Sequence, residues 1–442
     1  MQHIFKSYDI RGKVGSELTP DFTHTIGAVF GDWLPTEGVV AVGHDMRPDS
    51  AELAQAFIKG LTEQGRDVWD IGLVTSDMIY FAVGKWDLAG GAVITASHNA
   101  GDENGIKLYR DKVTPVGLDS GLAEIRDRAL LNDIKTSDKT GTVEDKDVSD
   151  EWVNHCLSFI QELKPFNIAI DAGNGMAGKI LPLILPKLPI HAEQLYFELD
   201  GTFPNHEANP QKIENLKDLI SSVSKNNFDF GIAFDGDGDR AVFVDDKGRL
   251  VLGTDLMTIV AKLYLDKYPG SKIVHDVRTS KATRELIEKW GGVPIRTKAG
   301  RVNVGALLRE VGGSFGGETT GHFFYKENYE ADSGLIVALT AMQAITNSGK
   351  KLSELVDEYR LYEMIPEKNF ETAKDKEEVF LALKQIFSDG EFDMLDGLTV
   401  TYPDFWFNLR SSNTEPVVRL NAEADSVTKL EEVVKKVTAI IQ

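Results

Sequence analysis

Residues 167–178, NIAIDAGNGMAG, run from a short apolar strand into a turn at Asp171 and then into a helix. A brief apolar run closed by a turn and followed by helical spacing is the pattern of a buried strand in an α/β layer. The same order stands twice more, in residues 39–50 (VVAVGHDMRPDS, with Asp45) and 272–283 (KIVHDVRTSKAT, with Asp276), at spacings of 126 and 105 residues. Each aspartate is followed, after 52, 64 and 42 residues, by a second apolar strand ending in a polar, glycine-rich loop. These are GAVITASHNAGDENG around Ser97, FGIAFDGDGDR from Asp235, and GSFGGETTGHFF around Glu318. The chain reads as three diverged copies of one α/β domain. After Glu367 the pattern changes. A helical run (DKEEVFLALKQIF), strands in LTVTYPDFWFNLR and VVRLNAEAD, and a closing helix (SVTKLEEVVKKVTAII) predict a small α+β domain. The expected domains are 1–145, 146–250, 251–366 and 367–442. Ligands of open α/β sheets bind beyond the carboxyl ends of the strands, so three loops of this kind could line one cleft.

The 442 residues carry 48 Lys plus Arg against 69 Asp plus Glu, a net charge of −21, with 42% hydrophobic content. That composition argues against large-scale disorder. The acidic balance argues against a surface that coats nucleic acid or an acidic membrane, and an anionic substrate must be met by local positive sites. A single cysteine, Cys156, allows neither an internal disulfide nor a thiol zinc site. No apolar run reaches the ~18 residues of a membrane span. The opening MQHIFKSYDIRG lacks the basic and apolar regions of a signal peptide. The expectation is a cytoplasmic protein with no nucleic-acid or membrane partner, monomeric or homodimeric.

The sharpest local feature is Asp235-Gly-Asp237-Gly-Asp239-Arg240. Three carboxylates at alternate positions of a tight turn cannot all ionise cheaply. A hard cation removes the conflict, and oxygen ligands point to Mg²⁺ or Ca²⁺. An EF-hand is rejected, since it needs Gly where Arg240 stands and Glu where Asp246 stands. Ser97 ends a strand in Thr95-Ala96-Ser97-His98-Asn99, with Lys107 beyond. Neighbours on a turn are expected to point apart and no G-x-S-x-G elbow is present, so a Ser–His–Asp triad is not expected. Ser97 suits a phosphate carrier instead, with His98 and Lys107 to neutralise charge or move protons. Arg410-Ser411-Ser412-Asn413-Thr414-Glu415-Pro416, followed by Arg419, gathers forked cationic donors and hydroxyls as a phosphate cradle. Gly317-Glu318-Thr319-Thr320-Gly321-His322 offers carboxylate, hydroxyl and imidazole to sugar hydroxyls, and Ser7-Tyr8-Asp9-Ile10-Arg11-Gly12 adds an arginine.

Together these motifs resemble the α-D-phosphohexomutase superfamily, from Tyr8 to Arg419, and within it the bacterial phosphomannomutase/phosphoglucomutase group. The resemblance implies an α/β fold: three homologous α/β domains with mixed sheets plus a C-terminal α+β domain, arranged around a central cleft. It implies that Ser97 is a phosphoserine, and that Asp235, Asp237 and Asp239 hold Mg²⁺ together with an oxygen of that group. Glu318, Thr320 and His322 would bind the sugar. The loop of Lys298 and Arg301 would help to read it. Arg410, Ser412, Asn413, Thr414 and Arg419 would hold the non-reacting phosphate. Arg11, Lys107 and Arg240 would lie near the transferred phosphoryl group, with Lys107 and His98 as proton-transfer candidates.

The implied activity interconverts hexose 6-phosphate and hexose 1-phosphate, of mannose or glucose, through a hexose 1,6-bisphosphate that also serves as activator. The alternatives are a phosphoglucosamine mutase, which usually begins with a Gly-Thr-Asp-Gly type of segment, and a sugar-phosphate hydrolase, which lacks support from any D-x-D-x-T/V signature. Three positions depart from the family pattern. Ala100 stands for a common Pro, Thr320 for the usual Ser, and Arg301 for the His of many mannose-type members.

Overall fold

The computed structural model describes residues 1–135, 137–372, 374–411 and 417–442. It divides into two compact units, one of Met1–Leu252 with Thr320–Ser353, the other of Gly253–Thr319 with Glu354–Gln442. No helix among the described residues is long and apolar enough to cross a membrane.

The first unit opens with a seven-stranded mixed sheet. Its strands are β1 (Ile10–Lys13), β2 (Val40–His44), β3 (Val68–Leu73), β4 (Gly90–Ile94), β5 (Glu103–Arg110), β6 (Thr114–Pro115) and β7 (Val143–Asp145), in the order β1-β5-β4-β2-β3-β7, with β6 beside β5. Helices Pro20–Trp33 and Ser50–Glu63 cover it, and Ile26, Phe30, Phe57 and Leu61 pack with Val40, Val42, Ile94 and Ile106. Each such side chain removed from water contributes roughly 1.5–3 kcal/mol. The first helix starts where Thr19 accepts the amide of Phe22 and Pro20 fits the first turn.

A second mixed sheet in the same unit comprises β8 (Phe166–Asp171), β9 (Ile190–Leu195), β10 (Phe230–Phe234), β11 (Ala241–Asp245) and β12 (Leu250–Val251), ordered β12-β11-β10-β8-β9. In the second unit β13 (Lys272–Asp276) lies between β14 (Val293–Thr297) and β15 (Phe315–Gly317), parallel to both. Two short strands, β16 (Phe323–Tyr325) and β17 (Ala331–Asp332), pair antiparallel within the first unit.

The three expected copies share one topology. The strand before each aspartate turn is central, and the strand carrying the polar loop is its parallel neighbour: β2 with β4, β8 with β10, β13 with β15. Each aspartate makes the same turn. Asp45, Asp171 and Asp276 accept the amide two residues on, from Arg47, Gly173 and Arg278, at 3.0, 2.8 and 2.7 Å. A short side chain that bonds its own backbone closes the strand and starts the loop.

The last part of the second unit is an antiparallel sheet of β18 (Glu363–Met364), β19 (Lys368–Glu371), β20 (Glu391–Asp393), β21 (Leu398–Thr401), β22 (Phe405–Ser411) and β23 (Val417–Ala424), with helices Lys376–Ile386 and Val427–Ile441. Phe380, Leu383, Phe407, Leu409, Leu420 and Val437 belong to a core of its own.

Candidate functional site

In the first unit the loops after β4 and β10 meet. Ser97 adopts a left-handed backbone (φ 54°), its amide donates to Thr95 Oγ1 at 2.9 Å, and its hydroxyl donates to Asp235 Oδ2 at 3.0 Å. The loops touch so closely that a Cβ on Gly236 would lie 2.4 Å from the carbonyl oxygen of Ser97. The left-handed turn also brings Nδ1 of His98 to 3.2 Å from Ser97 Oγ, which corrects the expectation that these neighbours point apart. Nδ1 accepts a hydrogen bond from Arg240 Nη2 at 2.5 Å. Burial, then the charges of Arg240 and Arg11, hold the imidazole well below its usual pKa, so it is neutral.

Asp235, Asp237 and Asp239 are completely buried. Lys107, on β5, reaches Asp237 Oδ2 at 2.5 Å and Asp239 Oδ2 at 2.6 Å, while Arg240 Nε pairs with Asp235 Oδ2 at 2.9 Å. Ser76 donates to Asp237 as well. Among the three crowded carboxylates, Asp235 and Asp237 are driven in opposite directions. Burial raises Asp235 to about 7 against the pull of Arg240, with Asp239 and Asp237 adding repulsion. Asp237 moves the other way, because Lys107 and its hydrogen bonds outweigh the burial that opposes its charge.

Oxygens of the three aspartates lie within 4.8 Å of one another, and Asp237 Oδ1 is buried without a hydrogen-bond partner. An all-oxygen set with an open acceptor fits a hard divalent cation. Arg11 donates to Asn99 Oδ1 at 2.5 Å and to the carbonyl of Ala96 at 3.2 Å, with its charge paired to Asp9. His322 lies 2.6 Å from Asp332 Oδ2 and 3.9 Å from Asp239, both through Nδ1. The main-chain carbonyl of Thr320 accepts from Gln211.

The second unit carries the other residues. Glu318 accepts from Arg278 Nη2 at 2.6 Å and from the amide of Gly300 at 3.2 Å, and the same Arg278 nitrogen bonds Asp276. Lys298 is exposed, Arg301 opens helix Arg301–Val311, and the amide of Ala299 between them donates to Asp396. Arg410 and Arg419 face each other on β22 and β23, and both pair with Glu367, at 2.9 and 3.4 Å. Asn421 holds the same carboxylate. Burial opposes the charge of Glu367, but Arg410 and these bonds keep its pKa low. Ser412, Asn413 and Thr414 lie outside the described residues.

Sequence reasoning missed Arg47, Arg278, Ser76, Asp332 and Glu367. A signal for two of them was present. Residues 44–47 and 275–278 both read His-Asp-x-Arg, at the same strand tip of the first and third copies.

Four family models match successive parts of the chain, described as phosphoglucomutase/phosphomannomutase alpha/beta/alpha domains I (residues 2–133), II (150–248) and III (253–362) and the C-terminal domain (367–440). Phosphohexose mutases of Xanthomonas campestris pv. campestris are 37% identical over 423 residues, 95% of this chain and 94% of theirs. The phosphomannomutase of Escherichia coli K12 is 37% identical over 432 residues, with the same coverage of both chains. The crystal structure of a phosphoglucomutase/phosphomannomutase family protein of Burkholderia thailandensis superposes with a TM-score of 0.92 at 32% identity, covering 100% of this chain and 97% of that one.

Proposed function

This chain belongs to the phosphoglucomutase/phosphomannomutase family, and from that premise we propose that it interconverts the 6-phosphate and 1-phosphate of mannose or glucose through a phosphorylated Ser97 and a hexose 1,6-bisphosphate. The enzyme is a phosphohexomutase, an isomerase by reaction class. The observation that carries the finer reading is the hydroxyl of Ser97, 3.0 Å from Asp235 in a carboxylate loop that Lys107 and Arg240 also enter.

In this reading the phosphoryl group leaves Ser97 Oγ for the free hydroxyl of a phosphosugar. The sugar O–P bond forms, the serine O–P bond breaks, and the sugar hydroxyl gives up its proton. Neutral His98 is the candidate to accept that proton, and Lys107, which carries its own, is the candidate to return one to the departing Ser97 Oγ. Arg11, Arg240 and Lys107 supply positive charge beside the transferred group. Asp235, Asp237 and Asp239 would hold Mg²⁺, which supplies charge neutralisation when bound. The bisphosphate then presents its other phosphate, and the reverse transfer restores phosphorylated Ser97. Glu318, Thr320, His322, Lys298 and Arg301 bind the sugar. Arg410 and Arg419, with Ser412, Asn413 and Thr414, hold the phosphate that is not reacting. Domain divisions at 145/146, 250/251 and 366/367 complete the proposal.

The test is ³¹P NMR of the protein with Mg²⁺ and a trace of glucose 1,6-bisphosphate. Mannose 1-phosphate, glucose 1-phosphate and glucosamine 1-phosphate are supplied separately. Growth of a 6-phosphate resonance with the first two is expected, and its loss by about 10³-fold or more in Ser97→Ala. Release of inorganic phosphate would mean hydrolysis, and preference for glucosamine 1-phosphate would move the substrate. Undiminished turnover in Ser97→Ala would remove Ser97 from its role.

A further inference from the structure

Arg47 is 3% exposed and sits on the turn after β2, two residues from Asp45. Its Nη1 donates to the carbonyls of Ala100 and Glu103 at 2.6 and 2.7 Å, and its Nη2 to those of Ser97 and Asn99 at 3.0 and 2.7 Å. Its Nε faces Asp45 Oδ2 at 3.3 Å. One guanidinium therefore collects four main-chain carbonyls from residues 97–103. Only a planar fork with two N–H donors on each terminal nitrogen reaches acceptors spread over that much chain.

The arginine is itself fixed. Asp45 accepts from its amide and from Ser50 Oγ, and Ser50 Oγ accepts in turn from Asn104 at 2.9 Å. The ring of Phe203 lies 5.1 Å from the guanidinium carbon, and a Cβ on Gly201 would fall 2.5 Å from the Cα of Arg47. The residue it secures needs support. Ser97 holds a left-handed backbone, which side-chain-bearing residues keep only when their surroundings over-determine it.

We propose that Arg47 is a positioning residue for phosphoryl transfer, clamping the main chain of residues 97–103 so that Ser97 Oγ keeps one place against Asp235 whether or not it carries a phosphoryl group. The inference rests on the reading of Ser97 as the phosphoryl carrier. Arg47 acts through the loop alone. All four of its terminal donors go to main-chain carbonyls, and its charge is met by Asp45. A carrier that gives and takes a phosphoryl group in each turnover gains rate from a site that does not have to be rebuilt between the two events.

The full-length variant Arg47→Lys tests this. Lysine keeps a charge for Asp45 but ends in one nitrogen, which cannot serve four separated carbonyls. Three measurements are made: thermal melting, hydrogen exchange of peptides across the chain, and steady-state kinetics. The expected result is exchange in residues 96–103 faster by about tenfold, a kcat lower by about 100-fold, and a KM within about threefold of the parent. Asp45→Asn, which keeps the turn oxygen but sets an uncharged amide NH2 in place of the Oδ2 facing Nε, is expected to give the same pattern more weakly, and it decides the question if Arg47→Lys does not fold. Parent-like exchange in residues 96–103 would overturn the clamp, and so would loosening spread evenly over the first sheet with kcat and KM degraded together. An inactive parent would defeat the function reading alone, because loop exchange in the variants would still decide for or against the clamp.

Discussion

Burial acts on Asp235, Asp237 and Asp77 alike, yet it leaves them in different states. Asp237 keeps its charge because a lysine sits on it, whereas Asp77 is held by two hydroxyls, those of Thr75 and Ser333. Burial, with further repulsion from Asp239 and Asp332, pushes Asp77 from 3.8 up to about 8 against those hydrogen bonds. The folded chain thus holds a proton that the unfolded chain releases above 3.8. The stabilisation from this group is complete below that value and is lost as the pH climbs towards 8. Asp77→Asn cannot titrate, so its melting temperature should decline less between pH 5 and 8 than that of the parent, by differential scanning calorimetry. Identical slopes would mean that Asp77 is ionised in the folded chain.

Two loops make the site of the first unit, and their distance is set by Gly236. Gly236→Ala places a methyl where the backbone of Ser97 stands, and backbone does not yield as a side-chain end does. We expect a stability loss of about 1–3 kcal/mol and a fall in kcat of about 100-fold, measured by denaturant titration and turnover. Much of this element-level plan was legible in advance. The three aspartate turns, the polar loops beyond them and the closing helix Val427–Ile441 all follow from short-range pattern. The rest was hidden for physical reasons. The contact of Ser97 with His98 depends on the sign of one backbone angle, which residue types alone do not determine. In β5 both faces are buried, so no alternation marks Lys107 as pointing at the carboxylates. Arg47 and Glu367 act across 50 and 43 residues to Ser97 and Arg410, beyond the reach of any periodicity.

At the scale of the molecule, the acidic total of −21 coexists with Arg11, Lys107 and Arg240 gathered around one serine loop, so local placement and not overall charge provides for an anionic ligand. Stability is also local. The sheet β18–β23 and its two helices enclose a separate apolar core, so a fragment of residues 363–442 should fold alone. A cooperative thermal transition and a dispersed amide NMR spectrum would establish this, and a featureless spectrum would show that the core depends on the preceding chain. The recurring aspartate turn bears on how these loops can vary. A strand tip pinned by its own backbone and by a neighbouring turn can change its side chains without disturbing the sheet beneath. The three strand tips thus present, from one plan, a serine, a trio of carboxylates and a glutamate bonded to Arg278. Loops of about ten residues, rather than entire domains, are therefore the pieces to exchange when redirecting such a protein towards another sugar.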